Sequence, residues 1–277
     1  MSNSGKRNLR YALLSVVMLT ITALMALPLY YIFISTFKDQ VQMAQSPFGL
    51  PSGMSLDNYR EAFERVPIGR SFLNTIIVTV FAVAFQVLIG SMAAYGMILR
   101  KTKLTVILGA VLVFTFAIPP QATLIPIYKM VANLQLVNTL QGLITIYLGS
   151  AVFCYFLIVG YMRKLPAELL EAARIDGAGP FRIYWSIVLP LIRPILVTVI
   201  VFQTLSTWND FLWPKLMLTT SENRTIVLQV FSAVSQFTTN WPLFMTITVI
   251  ALIPVFVFFL FCQRYIVSGL VAGGVKG

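Results

Sequence analysis

The chain is 277 residues long, 58% hydrophobic and only 10% charged, with a mean hydropathy of +0.85. A soluble domain carries about a quarter charged residues, so this is an integral membrane protein, read here as a single domain. It contains no histidine, and its two cysteines, Cys154 and Cys262, lie in apolar runs; histidine relays, zinc sites, Ser-His or Cys-His catalysis and a disulfide framework are therefore excluded. The formal charge of +11 would suggest nucleic acid in a soluble protein, but the placement of the charges explains it better.

A spanning helix needs about 20 apolar residues, and the uncharged stretches predict six, near 11–36, 72–98, 104–128, 139–162, 191–212 and 243–264. The first follows Lys6, Arg7 and Arg10. Its uncharged run from 11 to 37 is too long for a signal-peptide core of about 7–15 residues, so a retained anchor is expected. The external loop, 38–70, is broken by Pro47, Gly49, Pro51 and Gly53, and a short amphipathic helix is expected from Ser55 through Ala62 and Phe63. This loop is either a lid over the helix ends or a contact for a soluble binding protein. Lys38 and Asp39 read as the aqueous end of the first helix.

The second span carries Asn74, Gln86, Gly90 and Ser91, and the third carries Pro119-Pro120-Gln121 and Pro126, which must kink or interrupt it. Such breaks are tolerated only where backbone faces protein or a cavity, and they flag a transport path. The small polar groups serve equally as glue between helices. Trp208-Asn209-Asp210-Phe211-Leu212-Trp213-Pro214 closes the fifth span. Asp210 must face protein or water, and the two tryptophans suit an interfacial belt.

Between the fourth and fifth spans lies a polar, helix-forming interruption, Glu171-Ala172-Ala173-Arg174-Ile175-Asp176-Gly177. Pro166 suits the first helical position and Gly177 a C-terminal stop. At 100° per residue Leu165, Leu169, Leu170, Ala172 and Ala173 form one broad face, and Glu168, Glu171 and Arg174 the other. Glu168 and Glu171 complement the N-terminal end of the helix dipole, whereas Asp176 sits at the unfavourable end. Periodicity alone allows a helix lying along the membrane or one that docks on a partner. The tail, from Arg264 to Gly277, holds four glycines and reads as a flexible end.

The spelling separates these readings. Glu171-Ala172-Ala173, three residues, Gly177, nine residues, Ile187, one residue and Leu189-Pro190 resembles the EAA loop of ATP-binding-cassette (ABC) importer permeases. The Asp57-Asn58-Tyr59 segment after a proline-rich turn, the Trp208-Asn209-Asp210 stretch and the Gly269-Leu270 to Val275-Lys276-Gly277 ending resemble the maltose-type, MalG-like subunits of the carbohydrate-uptake class. The resemblance implies an all-α integral membrane protein with six transmembrane helices and a cytoplasmic EAA coupling helix, the type I ABC importer permease fold. It implies ATPase coupling through Glu168, Glu171, Ala172, Ala173, Arg174, Asp176 and Gly177, with tail contacts from Gly273, Gly274 and Lys276. Asn74, Gln86, Gln121, Asn209 and Asp210 are candidates for the translocation pathway.

The partners implied are a second, MalF-like permease subunit, a homodimeric ATPase, an extracytoplasmic solute-binding protein and a sugar or sugar-like solute, in the bacterial cytoplasmic (inner) membrane. The chain has no G-x-x-x-x-G-K-[ST] loop, so it is expected to hold no cofactor, with ATP-Mg bound by the partner ATPase. A secondary transporter or channel subunit without an ATPase is the alternative, but helices one to four and six lack ionisable residues at mid-membrane. A membrane enzyme lacks a catalytic set.

Charge orients the chain. With the N-terminus inside, the inner segments hold thirteen of the twenty lysines and arginines and the outer segments seven, which obeys the positive-inside rule. Both termini and the EAA loop are then cytoplasmic. Single cysteines introduced as Ser2→Cys, Ala178→Cys and Val275→Cys, with Cys154 and Cys262 replaced, are expected to resist an impermeant thiol reagent in intact cells, while Ser52→Cys reacts. The opposite labelling pattern overturns the orientation.

Overall fold

The structure is a computed structural model, and it describes residues 3–99, 102–236 and 240–274. Among these the secondary structure is helical throughout. In chain order the α-helices are α1 (Asn3–Ser35), α2 (Gln40–Gln45), α3 (Asp57–Arg65), α4 (Ile68–Leu99), α5 (Lys103–Phe116), α6 (Leu124–Asn133), α7 (Leu140–Tyr147), α8 (Ala151–Met162) and α9 (Ala167–Ile175). They continue as α10 (Pro180–Ile183), α11 (Leu189–Leu191), α12 (Arg193–Trp208), α13 (Leu212–Met217), α14 (Ile226–Gln236) and α15 (Trp241–Gly274). Four stretches are long and apolar enough to cross a membrane: Arg10–Ser35, Ile68–Leu99, Leu140–Met162 and Trp241–Gln263. Two further helix pairs are apolar enough together but sharply bent, Lys103–Phe116 with Pro120–Asn133 at 97° and Pro180–Leu191 with Arg193–Trp208 at 78°, which brings the number of crossings to six if each bent pair is one span.

The breaks follow the prolines. Pro119 and Pro120 lack the N–H that would continue α5, and a 3₁₀ turn over Pro120–Thr123 starts the second arm. The segment expected as a kinked third span over 104–128 is thus a bent pair of helices that runs on to Asn133. The fifth, expected over 191–212, begins earlier and ends at Trp208. Pro190 cannot donate to the preceding turn, and the chain takes a π-helical course over Tyr184–Val188, with the Leu189 N–H reaching back to the Tyr184 carbonyl.

The chain divides into two compact units. One comprises residues 1–68 and 230–253. In it the apolar stretch of α1 is left uncovered by the rest of the chain, and the external loop folds onto the end of α1. Lys38, read from sequence as an aqueous marker, is 1% exposed. Its Nζ donates to the carbonyls of Ser46 (2.7 Å) and Pro47 (2.9 Å), and burial lowers its pKa. Asp39 caps α2 by accepting from the Gln42 N–H. Asn58 donates to the carbonyls of Thr36 (2.8 Å) and Lys38 (2.9 Å), and the Tyr59 hydroxyl donates to Thr36 Oγ1. Asn58 therefore satisfies carbonyls just beyond the end of α1, and Tyr59 ties the Thr36 hydroxyl to α3.

The other unit comprises residues 69–229 and 254–277. It has two apolar clusters, and α4 contributes to both. Val78 and Ala82 of α4 pack with Leu143, Tyr147, Met217 and Leu228; Ala94 and Tyr95 pack with Cys154, Ile158, Ala173, Tyr184 and Val199. A 3₁₀ turn at Leu148–Ser150 separates α7 from α8. Gln86 donates to the Tyr147 carbonyl (2.8 Å), and Gln203 donates to Gln86 Oε1 (3.0 Å) and to the Ser150 carbonyl (3.2 Å). These buried glutamines supply donors to carbonyls at the break.

α4 and α8 touch closely at Gly90. A Cβ there would lie 2.5 Å from Cys154 Cβ and 2.9 Å from both the Ala151 carbonyl oxygen and the Tyr155 nitrogen, whereas one at Gly96 would meet nothing within 4 Å. Overpacking of this kind costs about 1–3 kcal/mol, more than alanine's helix-propensity gain over glycine of about 1 kcal/mol. Gly90→Ala is expected to lower the melting temperature of the detergent-purified assembly, and Gly96→Ala to leave it unchanged or raise it. Equal behaviour of the two overturns the close-contact reading.

Candidate functional site

The polar interruption forms α9. Pro166 stands one residue before the helix as its N-cap, not at the first helical position expected from sequence. The C-terminus closes as a Schellman motif: the Gly177 N–H donates to the Arg174 carbonyl and the Ala178 N–H to the Ala173 carbonyl, both at 3.0 Å. This closure needs a left-handed residue after the cap, and Gly177 has φ +76°. Side chains there are strained. Asp176 is the C-cap and is exposed.

The apolar face is narrower than its helical projection. Ala173 is buried in the inner cluster and Leu165, Leu170 and Ala178 pack against it, but Leu169 and Ala172 are exposed. Ile175 is 85% exposed and Phe181, just beyond the turn, is 72% exposed. Glu168 and Glu171 are exposed as well. At 100° per residue Ile175 falls between the two glutamates. The outward surface of α9 thus includes an exposed isoleucine flanked by two carboxylates, a residue that the helical projection from sequence places on neither face. Arg174 is not on that surface: its Nη2 donates to the Leu99 carbonyl at 3.2 Å, at the end of α4.

The segment beyond the turn is also tied to α4. The Tyr95 hydroxyl donates to the Pro180 carbonyl (3.0 Å), and the Tyr184 hydroxyl lies 2.8 Å from Ser91 Oγ. The rings of Tyr95 and Tyr184 stack obliquely at 5.5 Å. Ile183, Tyr184, Val188 and Ile192 are buried, so the chain from Pro180 onward re-enters the core directly. The tail differs from its expected flexible end: α15 continues through Gly273 and Gly274, while Lys276 lies outside the described residues.

The polar residues singled out along the spans divide by their partners. Asn74 donates to the carbonyls of Glu222 (2.8 Å) and Arg224 (3.1 Å), and Gln86 is in the buried network described above. Asp210 accepts from the Tyr147 hydroxyl (2.7 Å) and the Leu212 N–H (2.9 Å). Asn209 is exposed and donates to the Leu205 carbonyl, and Gln121 is exposed in the 3₁₀ turn.

A cavity of about 610 Å³ opens between α4, α12 and α15, with Thr79, Val83, Thr204, Trp208 and Phe258 among its lining. Thr79 Oγ1 and Trp208 Nε1 are buried there without a hydrogen-bond partner. Thr75, Thr198 and Thr246 return their hydroxyls to the carbonyl four residues back, which makes the open hydroxyl of Thr79 an exception. Sequence reading missed Thr79 because nothing in its neighbours distinguishes it from a threonine bonded to its own helix.

Residues 86–271 match the family model of the binding-protein-dependent transport system inner membrane component. The chain is 36% identical over 250 residues to the probable starch degradation products transport system permease protein AmyC of Thermoanaerobacterium thermosulfurigenes, covering 90% of this chain and 91% of that one. It is 34% identical over 252 residues to the melibiose/raffinose/stachyose import permease protein MelC of Bacillus subtilis (strain 168), with coverage of 90% and 91%. Its fold superimposes with a TM-score of 0.79, at 25% identity, on a chain from the crystal structure of a bacterial ABC transporter involved in the import of the acidic polysaccharide alginate, covering 96% of this chain and 98% of that one. The chain therefore belongs to the binding-protein-dependent transport system inner membrane components, the permeases of ABC importers.

Proposed function

We propose that this permease forms one transmembrane half of an importer for a sugar or oligosaccharide, with ATP hydrolysed on a separate homodimeric ATPase and solute delivered by an extracytoplasmic binding protein. The solute class rests on the carbohydrate names of the relatives in the preceding section. The coupling reading rests on one observation above others: α9 presents Ile175, exposed between Glu168 and Glu171, just before a hydrogen-bonded turn that Gly177 permits. An isoleucine so placed suits a hydrophobic cleft, and carboxylates at its rim suit basic groups around that cleft.

In this reading the docked α9 moves with the ATPase as ATP closes the ATPase dimer. The membrane helices then pass from inward- to outward-facing, and hydrolysis resets them. Docking biases such an equilibrium only if its energy differs between the two states. The termini lie on the cytoplasmic side with α9, and the end of α15 around Gly273, Gly274 and Lys276 adds a second contact to the ATPase. A MalF-like subunit completes the path. On this chain the path is assigned to Gln121, Asn209 and Asp210, joined by Thr79 and Trp208 from the cavity lining. Asn74 and Gln86 spend their amide hydrogens on backbone carbonyls and act as ties between helices.

Three substitutions test the coupling surface: Glu171→Ala, Ile175→Asp and Gly177→Val. Each is expected to insert normally, because the positions are exposed. In reconstituted vesicles each is expected to lower uptake at least tenfold, with the ATPase either lost from the purified assembly or hydrolysing ATP without response to loaded binding protein. Wild-type uptake and stimulation in all three variants would reduce α9 to a surface helix.

A further inference from the structure

We propose that α4 is a through-membrane strut that ties the α9 turn at one end to the external 218–226 loop at the other, so that nucleotide state on the inside is carried to that loop. The proposal rests on the coupling reading of α9. Its basis is that α4 is pinned at three levels along about 48 Å of helix, taking 32 residues at 1.5 Å each. At the inner end are the bonds from Arg174 to the Leu99 carbonyl, from Tyr95 to the Pro180 carbonyl, and between Ser91 and Tyr184. At the middle is the network of Gln86, Gln203 and the Tyr147 and Ser150 carbonyls.

At the outer end Asn74 donates to the carbonyls of Glu222 and Arg224, and Thr75 Oγ1 accepts from the Ile226 N–H at 2.9 Å. Asn74, Thr75, Gln86 and Ser91 are all buried. The far side of the external loop is held too. Asn138 accepts with its side-chain oxygen from the Thr219 and Thr220 N–H groups, and its carbonyl accepts from Asn223 Nδ2. The loop is therefore a clamped body whose one clamp is α4.

α4 is the suitable lever because it crosses without proline or a 3₁₀ turn. The paths contiguous with α9 in sequence are softer. On one side the α7–α8 crossing is broken at Leu148–Ser150; on the other, the crossing into α12 contains the π-helical turn and a 78° bend. Displacement of α9 is thus expected to reach the outer surface through side-chain bonds to a helix far from it in sequence. Buried polar bonds between helices also serve as simple glue, and a mechanical path is established only by coupling between its ends.

The test uses the assembled importer in vesicles with the outer face exposed, carrying Glu222→Cys as a reporter. Position 222 is exposed; its backbone carbonyl accepts the Asn74 bond, while its carboxylate lies 3.9 Å from Arg70 of α4, an exposed ion pair that the parent reporter and every variant lack equally. An impermeant maleimide outside reads the reporter, with Mg-ATP and vanadate trapped inside. The inner variant is Tyr95→Phe with Tyr184→Phe, which keeps both rings and leaves the Ser91 hydroxyl bonded to the Val87 and Leu88 carbonyls. The outer variant is Asn74→Ala.

Trapping is expected to change the labelling rate at least threefold in the parent. Inner, outer and combined variants should show less than a 1.3-fold change, the combination no different from either alone, with ATPase co-purification and basal hydrolysis retained. A parent insensitive to nucleotide, variants that respond as the parent does, or loss of response only together with loss of assembly would each overturn the strut. The coupling reading fails separately, if Glu171→Ala, Ile175→Asp and Gly177→Val leave uptake unchanged.

Discussion

Every backbone N–H and C=O within the apolar interior must find a partner inside the protein, since lipid offers none. An unbroken helix meets this demand by itself, but this permease breaks several of its crossings. The price of each break is set by the carbonyls that it opens. Gln86 and Gln203 donate to Tyr147 and Ser150 where α7 gives way to α8. Asn58 donates to Thr36 and Lys38 beyond the end of α1, and Asn74 donates to Glu222 and Arg224 in the external loop. Among the described residues the buried carboxamides Asn74, Gln86 and Gln203 share this use, while the bends themselves follow the prolines.

The cytoplasmic loop meets a different demand, that of stiffness in water. A nine-residue helix is too short to hold its shape alone. α9 is held because Ala173 and Leu170 pack into the inner cluster, the Schellman turn closes its end, and Arg174 reaches the Leu99 carbonyl. The arginine adds favourable charge at the C-terminal end of α4. The surface left exposed after those contacts includes Ile175 with its two glutamates, beside Leu169 and Ala172, so the same contacts that stabilise the helix define the surface left for a partner. The Lys38 loop follows a similar logic on its own unit. An ammonium buried against two carbonyls makes a polar segment rigid, and desolvation lowers its pKa in return.

Family membership fits this physical picture without supplying it. The relatives share about a third of their residues with this chain over nine-tenths of its length, and a permease of this kind is a membrane transport subunit, not an enzyme. The solved importer of alginate shares the fold at a TM-score of 0.79. Thr79 and Trp208 border a cavity made mostly of valine, isoleucine and other apolar groups, with their polar atoms buried and without a hydrogen-bond partner.

Sequence by itself determined the membrane class, the site of the proline break at Pro119-Pro120 and the turn at Gly177. Each of these depends on local physical chemistry: the length of an apolar run, the missing proline N–H, and the freedom of Gly177 to take φ +76°. Only the tertiary structure decided which polar side chains are spent and which are open. Asn74 and Thr79 are both small polar groups on the second span, and nothing local tells them apart. Asn74 is occupied by carbonyls about 150 residues away in sequence, whereas the Thr79 hydroxyl has no partner. The same is true of Lys38, which looks exposed in sequence and is buried, and of Arg174, which looks free and is bonded to Leu99. A hydrogen bond to a distant backbone carbonyl leaves no trace in the residues beside its donor, because the acceptor is present at every position of every chain and only the fold selects one.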